Sequence, residues 1–509
     1  MTSIMETILN LRPVIAPAIP MIAALLIMVF GDKVRPNTRE AITITASVLM
    51  AVTVFSMALP VLEGQVCDVT LIEITDGIDL HFKTDAMGMV FACVASGLWI
   101  VTSIYSIGYM RGHGEKNQTG YFAAFAMCLS GAMGICFASN LVTFFIFYEI
   151  LTVATYPLVV HYRDNKGIKS GRKYLTYTLA SGQLFFAGIV YIYALTGTTE
   201  FVPGGFLQGK IQGSAALVLF FLMIVGGAVK AGVMPLHSWL PSAMVAPTPV
   251  SALLHAVAVV KAGAFCVIRV MGYTFGPELC KSCGASDIMC WVAAFTIIVS
   301  SLIAIQKDNL KARLAFSTVG QLSYIVLGVA IMTPVAMTGA IYHIVAHACM
   351  KITLFMCAGA IFVTTHKSEV SQMRGIGRRM PVTMAVFTVA SLGIAGMPFL
   401  VGFVSKMNIM AGAFDADKPL FAVILIASAL LALTYLVPVS YIAFTGNNVN
   451  PDFVEYNMDM KGEADRKMLV PLVITAVLSI ILGVMPNFGV NLFDLAQIAA
   501  ETISEGGMM

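Results

Sequence analysis

The sequence predicts an all-α, polytopic membrane protein, and three observations support this fold class. Apolar residues make up 58% of the 509-residue chain and charged residues only 11%. Apolar runs of about 18 or more residues recur along the chain, which is the length that a helix needs to cross a bilayer. Basic residues concentrate in alternate polar segments between these runs. This composition excludes a soluble globule, and a net charge of +3 gives no indication of nucleic-acid binding.

The apolar runs accommodate about fourteen spans of roughly 17 to 25 residues each. Their centres are Ala23, Ala51, Ser96, Gly131, Thr152, Leu184, Ile224, Val260, Ile297, Gly320, Ala348, Val389, Ser428 and Val477. The first run, Val14 to Phe30, is too long and too poorly flanked for a cleaved signal peptide, so it is predicted to be the first span. Only Ser139 and Asn140 separate the fourth span from the fifth.

The polar segments predict the orientation. Basic clusters occur at residues 33–39, 111–116, 163–173, 307–313, 367–379 and 461–467, and the segments between them contain few basic residues. The positive-inside rule places these clusters in the cytoplasm. We therefore expect a multi-pass protein of the inner (cytoplasmic) membrane with both termini on the outer side.

Five charged residues lie deep inside apolar sequence: Glu149, Lys230, Lys261, Lys351 and Lys406. Each lysine near the bilayer centre costs about 2.5 to 3.5 kcal/mol on insertion scales, so four of them indicate a charge or proton pathway. A carboxylate that moves towards or away from a desolvated lysine loads or discharges its proton, which makes Glu149 and Lys230 a candidate switch. The alternative interpretation, strongest for Lys261, is a lysine that snorkels to a helix end.

Histidines extend this series of charged residues. His343, His347 and Lys351 are spaced i, i+4 and i+8, which places them on one face of a helix. His237 and His255 flank the segment after Lys230 and are predicted to support the same polar axis, although each also fits a packing or capping role.

Glycine and proline predict interrupted helices in two spans. Gly226, Gly227 and Pro235 surround Lys230, and Pro398 lies among glycines before Lys406. Two broken spans in corresponding positions indicate an internal repeat. The predicted division is residues 1–120 with three helices, 121–272 as the first inverted five-helix repeat, 273–445 as the second, and 446–509 as a cytoplasmic loop and a last helix.

Several motifs resemble the antiporter-like subunits of respiratory complex I and the Mrp cation/proton antiporters. They are the runs at residues 229–241, 246–255, 317–324, 343–351 and 402–406, and the resemblance extends over about residues 85–444. It implies fourteen helices with two inverted five-helix repeats, and proton translocation within a larger complex.

The resemblance also implies residue roles. Glu149 resembles the family's fifth-helix glutamate, Lys230 the lysine of the broken seventh helix, and Lys261 the eighth-helix lysine. His343, His347 and Lys351 resemble the charged face of a broken eleventh helix, and Lys406 the terminal lysine of a broken twelfth. Ser242 departs from the aspartate of many members. Lys406 departs from the glutamate of some complex I members, and favours the Mrp and hydrogenase-linked branch.

No motif for a redox cofactor is recognisable, so we expect no cofactor, and the enzyme class stays open because the chain supplies no redox centre of its own. Cys280 and Cys283 have no partner pair at metal-site spacing, and no metal site is predicted.

The leading prediction is a proton-translocating subunit of a multi-subunit redox complex, namely a complex I-like dehydrogenase, a membrane-bound hydrogenase or a formate hydrogenlyase. Its expected partners are other membrane subunits, a peripheral redox arm, protons and the lipid bilayer. The alternative is a subunit of an Mrp-type sodium/proton antiporter without a redox partner. A purely structural subunit and an independent solute carrier are disfavoured, because the charged axis is complete and no solute pocket is apparent.

Overall fold

The computed structural model describes residues 9–75, 77–253, 257–445 and 462–506, and most of them are helical. The first helices are α1 (Arg12–Phe30), α2 (Pro36–Leu62), α3 (Ala86–Gly112), α4 (Gln118–Phe137), α5 (Leu141–Val159), α6 (Asn165–Thr196) and α7 (Gly213–Ala231). They are followed by α8 (Trp239–Ser242), α9 (Thr248–Ala252), α10 (Val259–Ile268), α11 (Pro277–Ser282), α12 (Ala285–Gln306), α13 (Leu310–Ala330) and α14 (Pro334–Thr365). The last are α15 (Ile376–Arg379), α16 (Pro381–Ala395), α17 (Val401–Asp415), α18 (Pro419–Thr445), α19 (Arg466–Val484) and α20 (Leu492–Gly506).

The predicted fold class is confirmed, and every predicted span centre lies inside a helix. Within the described ranges, twelve helices are long and apolar enough to cross a membrane. The two remaining predicted spans consist of shorter helices, α9 with α10 and α16 with α17. The short link between α4 and α5 is real, because Asn140 ends it by accepting a hydrogen bond from the Thr143 backbone N–H and so begins α5.

Three elements were not predicted. Strands β1 (Asp68–Thr75) and β2 (Ile78–Lys83) form an antiparallel hairpin between α2 and α3. Residues 269–275 form a π-helical turn after α10. The C-terminal segment, predicted to hold one helix, contains both α19 and α20, while the cytoplasmic loop predicted before them falls largely on residues 446–461, outside the described residues.

Both predicted helix breaks are present, but the first is displaced. Helix α7 continues through Gly226 and Gly227 and ends at Ala231, where Gly232 has a φ of 72°. Helix α16 ends at Ala395, where Gly396 has a φ of 88°. These left-handed conformations suit glycine and stop each helix. Pro235 and Pro398 lie in the turns that follow.

Helix α14 forms the centre of the second half of the protein. It is 32 residues long and packs against α3, α9, α13, α16, α17, α19 and α20. All of its most apolar stretch is buried, which is expected of a helix that is apolar on every side. The broken eleventh helix implied by the resemblance is wrong, because α14 continues without interruption past His343, His347 and Lys351.

The basic loops lie at alternate helix ends, and we call this side the basic face. Lys173 Nζ donates to Ser242 Oγ at 3.1 Å, and Lys311 Nζ donates to the Ala246 carbonyl at 2.9 Å. These bonds connect the segment after α7 to two basic loops. On the opposite face, the hairpin is tied to the α4–α5 link by a hydrogen bond from Asn140 Nδ2 to the Asp79 carbonyl.

Candidate functional site

Lys230 lies in the last turn of α7, directly before the helix break. Its side chain is fully buried, and Nζ donates to the Tyr148 carbonyl on α5 at 2.7 Å. The same Nζ lies 3.2 Å from the centroid of the Tyr148 ring, while the Tyr148 hydroxyl donates to the Gly226 carbonyl at 2.7 Å. Tyr148 therefore holds the ammonium group through its carbonyl and its ring face, both uncharged.

Glu149 follows Tyr148 on α5, and its carboxylate is buried without a direct partner. Among the described residues, neither carboxylate oxygen has a hydrogen-bond partner, and no ion pair joins Glu149 to Lys230. Lys230 is nevertheless the charged neighbour that acts on it electrostatically. The oxygen Oε1 lies against Gly182 of α6, at the place where a Cβ atom would stand. A buried carboxylate that is close to a lysine but unpaired is able to change its distance from that lysine.

Lys261 and the histidines of α14 form a second connected group. Lys261 Nζ is hydrogen-bonded to His347 Nδ1, and both side chains are fully buried. The His347 and His343 rings are 6.2 Å apart, as expected for adjacent turns of one helix face. His343 Nδ1 then bonds Ser405 Oγ of α17 at 2.8 Å, and its ring stacks on Tyr324 of α13 at 5.6 Å.

Lys406 lies next to this group and is held by the second helix break. Its Nζ donates to the Ile394 carbonyl, which belongs to the last turn of α16. The broken end leaves carbonyl groups without helical partners, and a cation is favoured at such a helix C-terminus. The ammonium group also lies 4.7 Å from the centroid of the Tyr324 ring, so Tyr324 contacts both His343 and Lys406.

Lys351 lies on a branch from this row. Its Nζ donates to Ser317 Oγ at 2.6 Å and to the Leu314 carbonyl at 3.3 Å, both on α13. Ser317 Oγ also accepts from the Tyr435 hydroxyl at 2.9 Å. Lys351 is fully buried, and no carboxylate in the described part of the chain hydrogen-bonds it. Because its acceptors are uncharged, the nearby charges of Lys261 and Lys406 act on Lys351 without a compensating negative charge.

The comparisons with known proteins identify the family. Residues 138–432 match the family described as "NADH:quinone oxidoreductase/Mrp antiporter, TM". The chain belongs to this family. The NADH-quinone oxidoreductase subunit N of Desulforudis audaxviator is 30% identical over 415 residues, which cover 80% of this chain and 82% of that relative.

Two solved structures show the same fold along almost the whole chain. The Mrp complex from Dietzia sp. has a chain with a TM-score of 0.86 at 20% identity, and the match covers 98% of both chains. The membrane-bound sulfane sulfur reductase, an archaeal respiratory membrane complex, has one with a TM-score of 0.85 at 21% identity, covering 97% of this chain and 98% of that chain. The protein is thus an antiporter-like, ion-translocating subunit of a multi-subunit membrane complex, of the complex I, Mrp or a related respiratory type.

The structure brings most of the predicted site residues of this antiporter-like subunit into two groups. Glu149 and Lys230 form one, and the row from Lys261 to Lys406 forms the other. Helices α7 and α10 touch where Gly263 packs against the Lys230 backbone, but the Lys261 side chain turns away towards α14. The two groups are neighbours without a direct side-chain hydrogen bond between Lys230 and Lys261.

The predicted supporting histidines have different outcomes. His237 lies after the α7 break, half-buried against Phe316 with ring centroids 5.9 Å apart. Lys173 is its charged neighbour, so His237 is near the basic face and not among the buried lysines. His255 lies outside the described residues. Pro235 and Pro398 are exposed in the turns after the helix breaks.

Sequence reasoning missed the hydroxyl and tyrosine partners of these charges: Tyr148, Ser317, Tyr324 and Ser405. Each of them adjoins a charged residue or belongs to a motif that is recognisable in the sequence. Tyr148 precedes Glu149, Ser405 precedes Lys406, and the other two begin and end the motif at residues 317–324. The Ser317 hydroxyl accepts from the Lys351 ammonium group, the Ser405 hydroxyl bonds His343, and the two tyrosine rings lie against Lys230 and Lys406.

Among the described residues, one cluster has the geometry to hold a metal ion, on the face opposite the basic one. Ligand atoms of Asp79, His81 and Glu200 lie within 4.8 Å of one another. His81 Nδ1 bonds Glu200 Oε1 at 3.1 Å, and its Nε2 bonds Asp68. These bonds tie the hairpin to the loop after α6.

Proposed function

We propose that this chain translocates protons within a multi-subunit, energy-converting redox complex. The observation that supports this is the connected row of titratable groups from Lys261 through His347 and His343 to Lys406, all buried and all bonded to neutral acceptors or to one another. Such groups exchange protons without needing a counter-ion to travel with each charge. The chain supplies the proton path, and a peripheral redox arm supplies the driving reaction.

The proposed switch is Glu149 with Lys230. When the carboxylate approaches, the protonated form of Lys230 is stabilised, and when it withdraws, the buried ammonium group loses that support and releases its proton. The unpaired state of both carboxylate oxygens and the neutral clamp by Tyr148 support this role. The proton released from Lys230 is then transferred to Lys261 on the neighbouring helix α10.

We propose protons rather than sodium as the ion in this chain's own path. Sodium, a hard cation, needs several oxygen ligands, preferably carboxylates. Among the described members of the two groups Glu149 is the one carboxylate, and the other members are lysines and histidines. Ammonium and imidazolium groups repel a metal cation but carry protons.

The predicted repeats, residues 121–272 and 273–445, are part of the proposal. Asn140 begins α5 and donates to Glu200, and Asn309 begins α13 and donates to Glu369, each across 60 residues. The helices that follow, α6 and α14, are both 32 residues long. The first of these contacts lies on the face opposite the basic one and the second on the basic face, which supports an inverted relation between the repeats.

The second candidate is a subunit of an Mrp-type sodium/proton antiporter without a redox partner. Almost the whole chain matches a chain of the Mrp complex, which supports this candidate. The archaeal respiratory complex matches equally well, so the fold does not separate the two candidates. Purification of the native complex in mild detergent, with identification of its subunits, separates the two. A metal-containing or flavin-containing redox subunit supports our proposal, and a set of membrane subunits alone contradicts it.

The mechanism is tested with the purified complex in proteoliposomes. Lys230→Ala removes the ammonium group, and we expect proton translocation to fall by about 10²-fold or more while the complex still assembles. Glu149→Gln keeps the size of the side chain and breaks no hydrogen bond, because neither oxygen has a partner. We expect it to uncouple translocation as well. Unchanged translocation in Lys230→Ala would remove the proposed switch.

We also propose that the basic face is cytoplasmic in an inner membrane and that both termini face outward. Labelling of a cysteine introduced at exposed Lys116, compared with one at exposed Glu73 of the hairpin, tests this in intact cells. An impermeant maleimide is expected to label position 73 and not position 116.

A further inference from the structure

A second cluster of titratable groups lies on the basic face, outside the row of lysines. Glu115, between α3 and α4, has a side chain only 5% exposed. Its Oε1 accepts from the Tyr162 hydroxyl at 2.6 Å and lies 2.9 Å from His113 Nδ1. Its Oε2 lies 3.6 Å from His161 Nε2. A nearly buried carboxylate is thus surrounded by two imidazoles and a phenol, in a loop region on the basic face.

Some side chains of the cluster are partly exposed to solvent and others are buried. His113 is 28% exposed and Tyr162 is 44% exposed, while His161 is buried. The other titratable groups that face Glu115 are Tyr109 of α3, Tyr121 of α4 and Lys311 of α13. Lys116, the neighbour in the chain, points into solvent. The cluster therefore has an outer side that water reaches and an inner side formed by Tyr109 and Lys311.

Phe362 separates this cluster from a small cavity. The His113 ring contacts the Phe362 ring at 5.3 Å, and Phe362 lines a cavity of about 60 Å³ together with Thr248 and Lys311. A cavity of this volume with polar groups in its wall is large enough to hold water. The Thr248 hydroxyl donates to the Tyr109 hydroxyl at 3.4 Å, so Thr248 connects the wall of the cavity to Tyr109, which faces Glu115.

Lys311 lies on α13, one turn before a residue that contacts the row of lysines. Its Nζ donates to the Ala246 carbonyl at 2.9 Å, and among the described residues no carboxylate lies at hydrogen-bond distance from it. Leu314 follows Lys311 by one turn of α13, and the Leu314 carbonyl accepts from Lys351 Nζ at 3.3 Å. Lys311 and the carbonyl bonded to Lys351 are therefore one turn apart on the same helix.

We propose that Glu115, His113 and His161 form a proton-collecting site on the basic face, and that Lys311 transfers protons from this site to Lys351. The proposal rests on the proposed function, proton translocation by this chain. Each step moves one proton: a hydronium ion protonates an imidazole of the cluster and leaves water, the imidazolium passes the proton through water in the cavity to the neutral amine of Lys311, and Lys311 passes it to the neutral amine of Lys351. No electron or other group is transferred.

The electrostatics of Glu115 suit collection. Burial raises the pKa of its carboxyl group, but the contacts with His161 and Tyr162 and the charge of His113 outweigh burial, so the net pKa is lowered from its usual value. Glu115 therefore carries a negative charge near neutral pH, and this charge attracts hydronium ions to this part of the basic face. Burial, with Glu115 nearby, also raises the pKa of Tyr162, which stays a neutral donor.

The test uses the native complex in proteoliposomes, with translocation measured from about pH 6.5 to 8.5. Without the negative charge of Glu115, the supply of protons depends on the concentration of free protons in solution. The rate of proton translocation by Glu115→Gln is therefore expected to fall about tenfold per pH unit above neutrality, while the rate of the unaltered complex changes little. Glu115→Asp retains the charge and should largely restore the flat profile. A slowing by the same factor at every pH would indicate a structural role and overturn the proposal.

A matched control is available on the same face. Glu40 is also a buried carboxylate, 8% exposed, but it is paired with Arg111 at 2.5 Å and has no histidine beside it. Glu40→Gln removes one buried negative charge and should keep the normal pH profile. If Lys230→Ala stops translocation while Glu115→Gln behaves normally at every pH, the collecting site is wrong and the proposed function stands. If the unaltered complex moves no protons, the proposed function itself fails.

Discussion

The two predicted repeats hold their buried lysines in different ways. In the first, Lys230 has the carboxylate of Glu149 as a neighbour, although the two form no direct ion pair. In the second, Lys351 donates to Ser317 and Lys406 donates to the Ile394 carbonyl, and both acceptors are neutral. We therefore propose that Lys230 of the first repeat is controlled by the position of a charge, and that Lys351 and Lys406 of the second exchange protons while held by neutral acceptors.

The comparison is informative because the rest of the surroundings is similar. A tyrosine ring lies beneath Lys230 at 3.2 Å and another lies beneath Lys406 at 4.7 Å. Both lysines are next to a helix break. The aromatic face and the free carbonyl groups lower the cost of burying an ammonium group without fixing its proton. The carboxylate of Glu149 is thus the feature that distinguishes the surroundings of Lys230 from those of Lys406, and we propose that it makes Lys230 the controlled lysine.

The largest expected effect comes from giving the second repeat a carboxylate. Ser317 Oγ is 2.6 Å from Lys351 Nζ, so Ser317→Asp places a negative charge against the ammonium group. An ion pair at this depth stabilises the proton on Lys351, and we expect proton translocation to slow by about 10²-fold, equivalent to about 3 kcal/mol. The rate is measured in proteoliposomes containing the complex.

Ser317→Asn is the matched control for this change, because it has nearly the same size and no charge. It should slow translocation far less than Ser317→Asp. Equal losses in the two variants would mean that packing around Tyr435 matters and that the neutrality of the acceptor does not.

A smaller effect is expected from moving the carboxylate of the first repeat. In Gly182→Ala the new Cβ atom would stand too close to Glu149 Oε1, so the carboxylate must shift. Misplacement of a reacting group by about 1 Å is costly, and we expect translocation to fall about tenfold. Gly188→Ala on the same helix is the control, since its Cβ would meet only the flexible side chain of Met223. A normal rate in Gly182→Ala would show that Glu149 needs no fixed position.

The spans and both helix breaks were predictable because each depends on local sequence. Long apolar runs fix the spans, and Gly232 and Gly396 occur where the chain must adopt a positive φ. The hairpin was missed because its 14 strand residues carry mixed polar and apolar side chains and are largely exposed. The continuity of α14 was missed because the interruption was inferred from resemblance, while its own sequence contains no proline after Pro334.

The charged members of the site were predictable because charge in apolar sequence is conspicuous. Their partners were not, since the bond from Lys261 to His347 joins residues 86 apart and depends on how α10 packs against α14. The same applies to Glu115, which looks in the sequence like an ordinary loop acid. Its burial arises only when the loops after α3 and α5 meet.

The smallest expected effect tests whether the two repeats are built alike. Asn140 and Asn309 each accept a hydrogen bond from a backbone N–H in the first turn of α5 and α13, respectively. Loss of such a cap costs about 1 kcal/mol, so Asn140→Ala and Asn309→Ala should each lower the thermal stability of the purified protein slightly. Thr434→Ala, at an exposed position of α18, should leave the thermal stability unchanged. Asn140 also bonds Asp79 of the hairpin, so its loss should be the larger one. If only one of the two substitutions lowers stability, the shared cap is not a structural element common to both repeats, and the comparison between them would rest on the charged residues alone.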